Sequence, residues 1–315
     1  MPSPSQSRIR QEAPPPFAGV PGLAERIDEL CDEQPFRTHL SVTELGTGGR
    51  FDRLGASVVP SASVRKIAIM MATLRAVTRG DLDLDERVTI DGRYRDQVFT
   101  GLLQDLSPGL TMSLRDVLTL MITVSDNLST AHVVERVGLD EVNRFCVDAG
   151  LVDTVHRHAL IPRLSRDHAA DATNSTTPRD QERLQLGILA GAADPVAATR
   201  VGCTTELCSL ALDILARQKF SDAVPALLPE AATVAHKTGL GWHDVNDVGV
   251  VYREGTPLFV IAAFTTRVPL LLADGTPGRH AARQHIARLA RMCWDACSAG
   301  HTVPVPSTDR EDHHG

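Results

Sequence analysis

The sequence predicts an α/β fold of the α+β kind: one mixed sheet closed by both ends of the chain, with an all-helical subdomain inserted between them. Strand-like runs fall early, at "FRTHLSVTEL" and "RFDRLGASVV", and late, at "ATVAHKTGL", "DVGVVYRE" and "LFVIAAFTTRV". Between them the apolar residues recur at helical spacing, and the helical runs stop at Gly80, Gly138 and Gly150. The predicted boundaries are a disordered, proline-rich arm over 1–20, a folded domain over 21–302 and a disordered polar tail over 303–315. Within the domain, the sheet subdomain takes about 21–62 and 215–302 and the helical subdomain about 63–214.

Each element has a local reason. "GLAERIDELCDE" (22–33) places Leu23, Ile27, Leu30 and Cys31 on one helical face. The turn signal "GTGG" then joins the first two strand-like runs, and a helix from about Ser63 to Arg79 ends at Gly80. In "SLRDVLTLMITV", Ser113 and Asp116 form a capping-box pattern. "LSTAHVVERV" and "DEVNRFCVDAG" continue the helical stretch, whereas residues 151–178 show no sustained period and read as a long loop. Pro178 sits in the first turn of the next helix, "TPRDQERLQLGILAG". "GTP" separates the last two strands in hairpin fashion, and "HAARQHIARLARMCWDACS" closes the fold as an amphipathic helix.

Composition narrows the function classes. The 315 residues are 43% hydrophobic and 23% charged, with a net charge of -7. Without a basic excess to neutralise phosphates, the chain is not suited to nucleic acid or an anionic membrane, and a small molecule is the expected partner. The six cysteines, Cys31, Cys146, Cys203, Cys208, Cys293 and Cys297, are scattered and lack histidines at metal-ligand spacing. They read as buried thiols in helices, and no metal or cofactor is expected. The amino-terminal segment lacks the features of a secretory leader and no run approaches a membrane span, so the expected location is cytoplasmic.

Three short motifs carry chemistry. Ser63 and Lys66 lie one helical turn apart, on one face of a helix that starts at Ser63. A serine hydroxyl becomes a nucleophile beside a base, and a lysine becomes that base when burial or a second cation lowers its proton affinity. The plain alternative is an N-capping serine and a lysine reaching to water. "SDN", Ser125-Asp126-Asn127, reads equally as a turn between helices with Asp126 or Asn127 as its cap. "HKTG", His236 to Gly239, lies in a strand where glycine permits close approach of a ligand, or where an edge lysine discourages aggregation.

Together the motifs S-x-x-K, S-D-N and K-T-G occur in order, with about 60 and about 110 residues between them. In this the chain resembles the class A β-lactamases and penicillin-binding proteins from about residue 22 to 300, with supporting matches at "GDLDLDERVTI", "TTPRD" and "VNDVGVVY". The resemblance implies an antiparallel five-stranded sheet flanked by helices. It implies Ser63 as the acylated nucleophile, Lys66 as the acceptor or relay of its proton, and Ser125 as the proton donor to the leaving nitrogen. Lys237 would hold Ser125 and a substrate carboxylate, Thr238 and Gly239 would border that carboxylate, and Asn127 would bind an amide carbonyl. The backbone N–H groups of Ser63 and Leu240 would form the oxyanion hole.

The chain departs from the family at one functional position. Class A β-lactamases carry a glutamate before the "TTP" helix that activates the deacylating water; here the matching stretch is "IPRLS", with Ile161 in the glutamate's place and Ser165 in that of an asparagine. Substitute bases nearby are His156, His158, Asp167 and His168. Losing a general base costs about 10²- to 10⁴-fold in its step. The expected activity is therefore a serine hydrolase that acylates on Ser63 with a β-lactam or related small amide or ester, placing β-lactam catabolism and antibiotic resistance among the expected roles. The alternatives are an acyl-trapping penicillin-binding protein, a D-alanyl peptidase or transferase, and a cytosolic esterase of secondary metabolism.

Overall fold

The structure, a computed structural model, describes residue 17 and residues 22–160 and 172–299. Helix α1 (Leu23–Asp32) buries Leu23, Ile27 and Cys31, three of the four positions its spacing predicts. Strands β1 (Arg37–Glu44) and β2 (Arg50–Arg53) pair antiparallel. The strand expected over 50–59 is broken: Asp52 accepts the Gly55 N–H in a tight turn, and Leu54 takes a positive φ of 51°. The chain then leaves the sheet, and β3 (Val59–Pro60) pairs with a segment more than a hundred residues away, Ser175–Thr176.

A 3₁₀ turn over Ala62–Arg65 leads into α2 (Lys66–Arg79), which ends at Gly80 with φ 78°. From Ile67 to Leu74 every side chain of α2 is fully shielded from solvent. A helix apolar on all sides must run through the core, and burial of each large aliphatic side chain contributes about 1.5–3 kcal/mol. Strands β4 (Arg87–Ile90) and β5 (Leu110–Ser113) form a separate antiparallel pair that the sequence reading does not anticipate. Helix α3 (Leu114–Thr123) is capped by Ser113, which accepts from the Asp116 N–H as predicted. Helices α4 (Asn127–Val137) and α5 (Leu139–Asp148) follow.

The Ser175–Thr176 partner is β6, and Thr177 caps α6 (Pro178–Ala193). The short α7 (Pro195–Arg200) and α8 (Thr205–Ala216) complete the helical stretch. Strand β7 (Ala232–Leu240) has the predicted bounds. It is followed by β8 (Val245–Arg253) and β9 (Thr256–Thr266), whose two-residue turn, Glu254-Gly255, has positive φ at both positions, as a tight hairpin requires. Helix α9 (Gly278–Ala299) closes the fold.

The five-stranded sheet runs β2-β1-β9-β8-β7, antiparallel throughout. Alternation along β1 separates two cores: Leu40 and Val42 join α1 and α9 on one face, while Ser41 and Thr43 on the other hydrogen bond to Glu182 of α6. The second core packs α2, α3 and α8 against Val248, Ala262 and Phe264. All six cysteines are buried as thiols, five of them in helices; Cys203 instead lies in the turn before α8. Among the described residues no helix is long and apolar enough to cross a membrane.

Candidate active site

Ser63 is half-buried inside the 3₁₀ turn. In such a turn residues three apart eclipse one another, which sets Ser63 over Lys66 more directly than an α-helix does. Ala62, just before it, has φ 43°, and Ser125 has φ 55°. Left-handed backbone at a residue other than glycine costs about 1–3 kcal/mol, and here it falls at one motif position and at the residue that precedes another.

Lys66 has 1% of its surface exposed. Its Nζ donates to Ser125 O at 2.7 Å, to Ser125 Oγ at 3.1 Å and to Asn127 Oδ1 at 2.7 Å. When the amine is protonated these bonds occupy all three of its hydrogens, and they join the first two motifs in one cluster. Among the described residues no hydrogen bond runs directly from Lys66 to Ser63, so a proton passing between them requires the amine to release one of its partners. Burial first, then the charges of Lys237 and Arg65, hold the Lys66 amine well below its ordinary proton affinity, with Asp126 opposing them.

The SDN turn serves the fold as well as the site. Asp126 is fully buried, and its carboxylate accepts the Ser129 N–H at 2.7 Å, capping α4, and the Leu103 N–H at 2.9 Å. The capping role expected of this turn is therefore present alongside the contact with Lys66. Gly101 lies against the same carboxylate with φ 120°, and a Cβ there would fall 2.3 Å from Asp126 Oδ2.

Lys237 is wholly buried on β7, where its Nζ donates to Thr238 O at 2.9 Å rather than to Ser125. Burial pushes its amine down to about 7, with Asp247 pulling the other way. His236, on the opposite face of the strand, pairs with Asp247 at 2.8 Å, and Asp247 also accepts the Val224 N–H. Thr238 is half-buried and Leu240 exposed. Gly239 brings β7 against the nucleophile's turn, since a Cβ there would lie 3.2 Å from both Ala62 and Val64. This close approach carries the Leu240 backbone to the Ser63 turn.

The proposed substitutes for the missing glutamate divide. Ile161, Ser165, Asp167 and His168 lie outside the described residues. His158 is half-buried; its backbone N–H and its Nε2 meet Asn174 Oδ1 and Ala172 O. His156 is 2% exposed against Cys146, and burial pushes its imidazole down to about 3.

Three residues not anticipated as part of the site support it. Asn174 accepts the backbone N–H groups of Arg157 and His158 on its side chain, and the N–H and the side-chain hydroxyl of Ser61 on its carbonyl. Asn246 donates to Pro60 O at 3.2 Å, pinning the approach to Ser63 from β8. Arg65, inside the first motif, donates to His158 O at 2.6 Å and Ala159 O at 2.5 Å. The signal for Arg65 was in the sequence: no Asp or Glu occurs between Asp52 and Asp81, so no local acid can neutralise it.

Residues 22–297 match the β-lactamase enzyme family, and the chain belongs to it. A β-lactamase of Streptomyces fradiae is 28% identical over 296 residues, covering 89% of this chain and 89% of that protein. The solved structure of PBP-A is similar at 28% identity and a TM-score of 0.76, covering 91% of this chain and all of that one. A β-lactamase from Sphaerobacter thermophilus superposes with a TM-score of 0.73 at 26% identity, covering 90% of this chain and 98% of that one.

Proposed function

We propose that this member of the β-lactamase enzyme family is a serine hydrolase that opens a β-lactam, or a related small amide or ester, through an acyl-enzyme on Ser63. The observation that carries the reading is the buried cluster of Lys66, Ser125 and Asn127 beneath the Ser63 turn. Ser63 Oγ attacks the carbonyl carbon and gives its proton to the neutral amine of Lys66. The N–H groups of Ser63 and Leu240 take the charge that develops on the carbonyl oxygen. As the C–N bond breaks, the leaving nitrogen receives a proton from Ser125 Oγ, which recovers one from Lys66. Lys237 and Thr238 attract a substrate carboxylate, and Asn127 takes an amide carbonyl.

The test is intact-protein mass spectrometry after mixing with penicillin G. The expected result is an adduct of the whole penicillin mass on the wild type and none on Ser63→Ala. Equal behaviour of the two proteins sinks the reading.

A second reading, an acyl-trapping penicillin-binding protein, is favoured by Ile161 standing where the family carries its glutamate. It is supported by the likeness to PBP-A, of which a leucine-to-glutamate variant has been solved as the acyl-enzyme with penicillin G, at 28% identity to this chain. An adduct that persists for hours, and that Ile161→Glu shortens, decides for the trap; one that vanishes within minutes decides for turnover. Six cysteines buried as thiols support a cytoplasmic, reducing setting for either reading.

A further inference from the structure

The first motif of this chain reads Ser63-Val64-Arg65-Lys66, and Arg65 heads its fully buried side chains by size. Its two terminal nitrogens bond to the carbonyls of His158 and Ala159, and its Nε is buried without a partner. A carbonyl accepts hydrogen bonds but brings no opposing charge. Among the described residues no carboxylate lies within ion-pair distance of the guanidinium, which borders a water-sized cavity of about 10 Å³ with Asn127, Thr130 and Ala159.

The charged groups facing Lys66 are Arg65 on its own chain segment, Lys237 on β7 and Asp126 ahead of α4. Asp126 already spends its oxygens on two backbone N–H groups. Among the described residues, the charges acting on Lys66 are thus two cations against one carboxylate, while the buried Asp247 pairs with His236 and acts on Lys237; such an excess is relieved when one cation gives up its proton. A guanidinium holds its proton far more tightly than an ammonium, so the amines yield first.

We propose that Arg65 is a positioning residue for the acylation read above: a permanent cation, fixed beside Lys66 by two backbone carbonyls, that keeps Lys66 a neutral amine ready to take the Ser63 proton. The inference rests on that reading only for its catalytic meaning. It gives the departure at Ile161 a counterpart, because this chain removes a negative charge from the family's pattern and buries a positive one inside the S-x-x-K motif.

The chain has only three lysines, Lys66, Lys219 and Lys237, so each is separately visible by NMR in the full-length protein labelled with [ε-¹³C]lysine. Lys219 is exposed and serves as the reference signal. The expected wild-type result is a Lys66 proton affinity at least a hundredfold below that of Lys219. Arg65→Gln is expected to raise it tenfold or more, and to move the acid limb of the penicillin acylation rate to higher pH by the same factor. Thr130→Asp, which puts a carboxylate on the wall of the same cavity while leaving Arg65 in place, is expected to act in the same direction.

A Lys66 signal that titrates with Lys219 in the wild type, or that Arg65→Gln leaves unmoved, overturns the proposal. If Arg65→Gln does not fold, Thr130→Asp is judged by the same criterion. Should the lysine shifts appear as expected while no β-lactam acylates the wild type, the proposed function fails and the effect of Arg65 on Lys66 stands.

Discussion

Buried charge is handled in opposite ways where helix α6 meets the sheet and around the nucleophile's turn. Toward the sheet, Glu182 is fully buried and every direction is met: Ser41 at 2.9 Å, Thr43 at 2.6 Å and the guanidinium of Arg50. Around the nucleophile's turn, Arg65 and Lys66 are buried with one carboxylate, Asp126, acting on Lys66, and Lys237 is buried near Asp247, which is itself paired with His236. The first arrangement joins a helix to a sheet, and its worth is structural. In the second, burial first and, at Lys66, two neighbouring cations drive the amines toward their neutral form, the state a base requires.

The sharpest way to break this contrast is Lys66→Met. Acylation by penicillin should fall by about 10²- to 10⁴-fold, while thermal stability changes little, because relief of the burial penalty on the amine offsets the hydrogen bonds lost to Ser125 and Asn127. Stopped-flow acylation and a thermal melt check both halves. Glu182→Gln should do the reverse, lowering stability by about 1–3 kcal/mol in urea unfolding while the acylation rate of the folded protein stays within about twofold. Equal losses of rate in the two variants would erase the distinction.

The smallest effect is a pH dependence. The Lys237 amine sits at about 7 when folded and near its ordinary 10.4 when unfolded, so between those values the unfolded chain binds more protons. Its penalty is present in full below pH 7 and fades as pH rises. Against Lys237→Met, the wild type should therefore gain about 1–2 kcal/mol of stability from pH 7 to 8.5. The buried thiols act oppositely, since burial pushes Cys31 up to about 11 and Cys146 up to about 12, which removes stability once unfolded thiols ionise. Comparing the two proteins at each pH cancels that contribution.

Much of this was legible in the sequence, for local reasons. The strand over 232–240, the cap at Ser113 and the stop at Gly80 are set by residues within a few positions of each other. The motif residues were readable because their order and spacing are distinctive; the contact between Lys66 and the SDN turn then follows from how α2 and α4 pack. What escaped was non-local. The pairing of Val59 with Thr176 leaves no periodic trace, and neither do the bonds from Asn174 to Ser61 and from Asn246 to Pro60. The break after Arg53 was missed because an aspartate-glycine turn overrode apolar residues that suit a strand.

Helix α2, shielded on every side from Ile67 to Leu74, also constrains how this chain can evolve. An amphipathic helix displaced by one residue has a wet face to signal the error; this one has none, so only the shapes of its neighbours fix its rotation about its axis. Swaps that conserve side-chain volume along it should be tolerated. A single-residue deletion inside it would turn everything upstream by about 100°, carrying Lys66 away from the SDN turn while the hydrophobic composition stayed nearly the same. Lineages that vary this segment are therefore expected to do so by substitution and almost never by insertion or deletion.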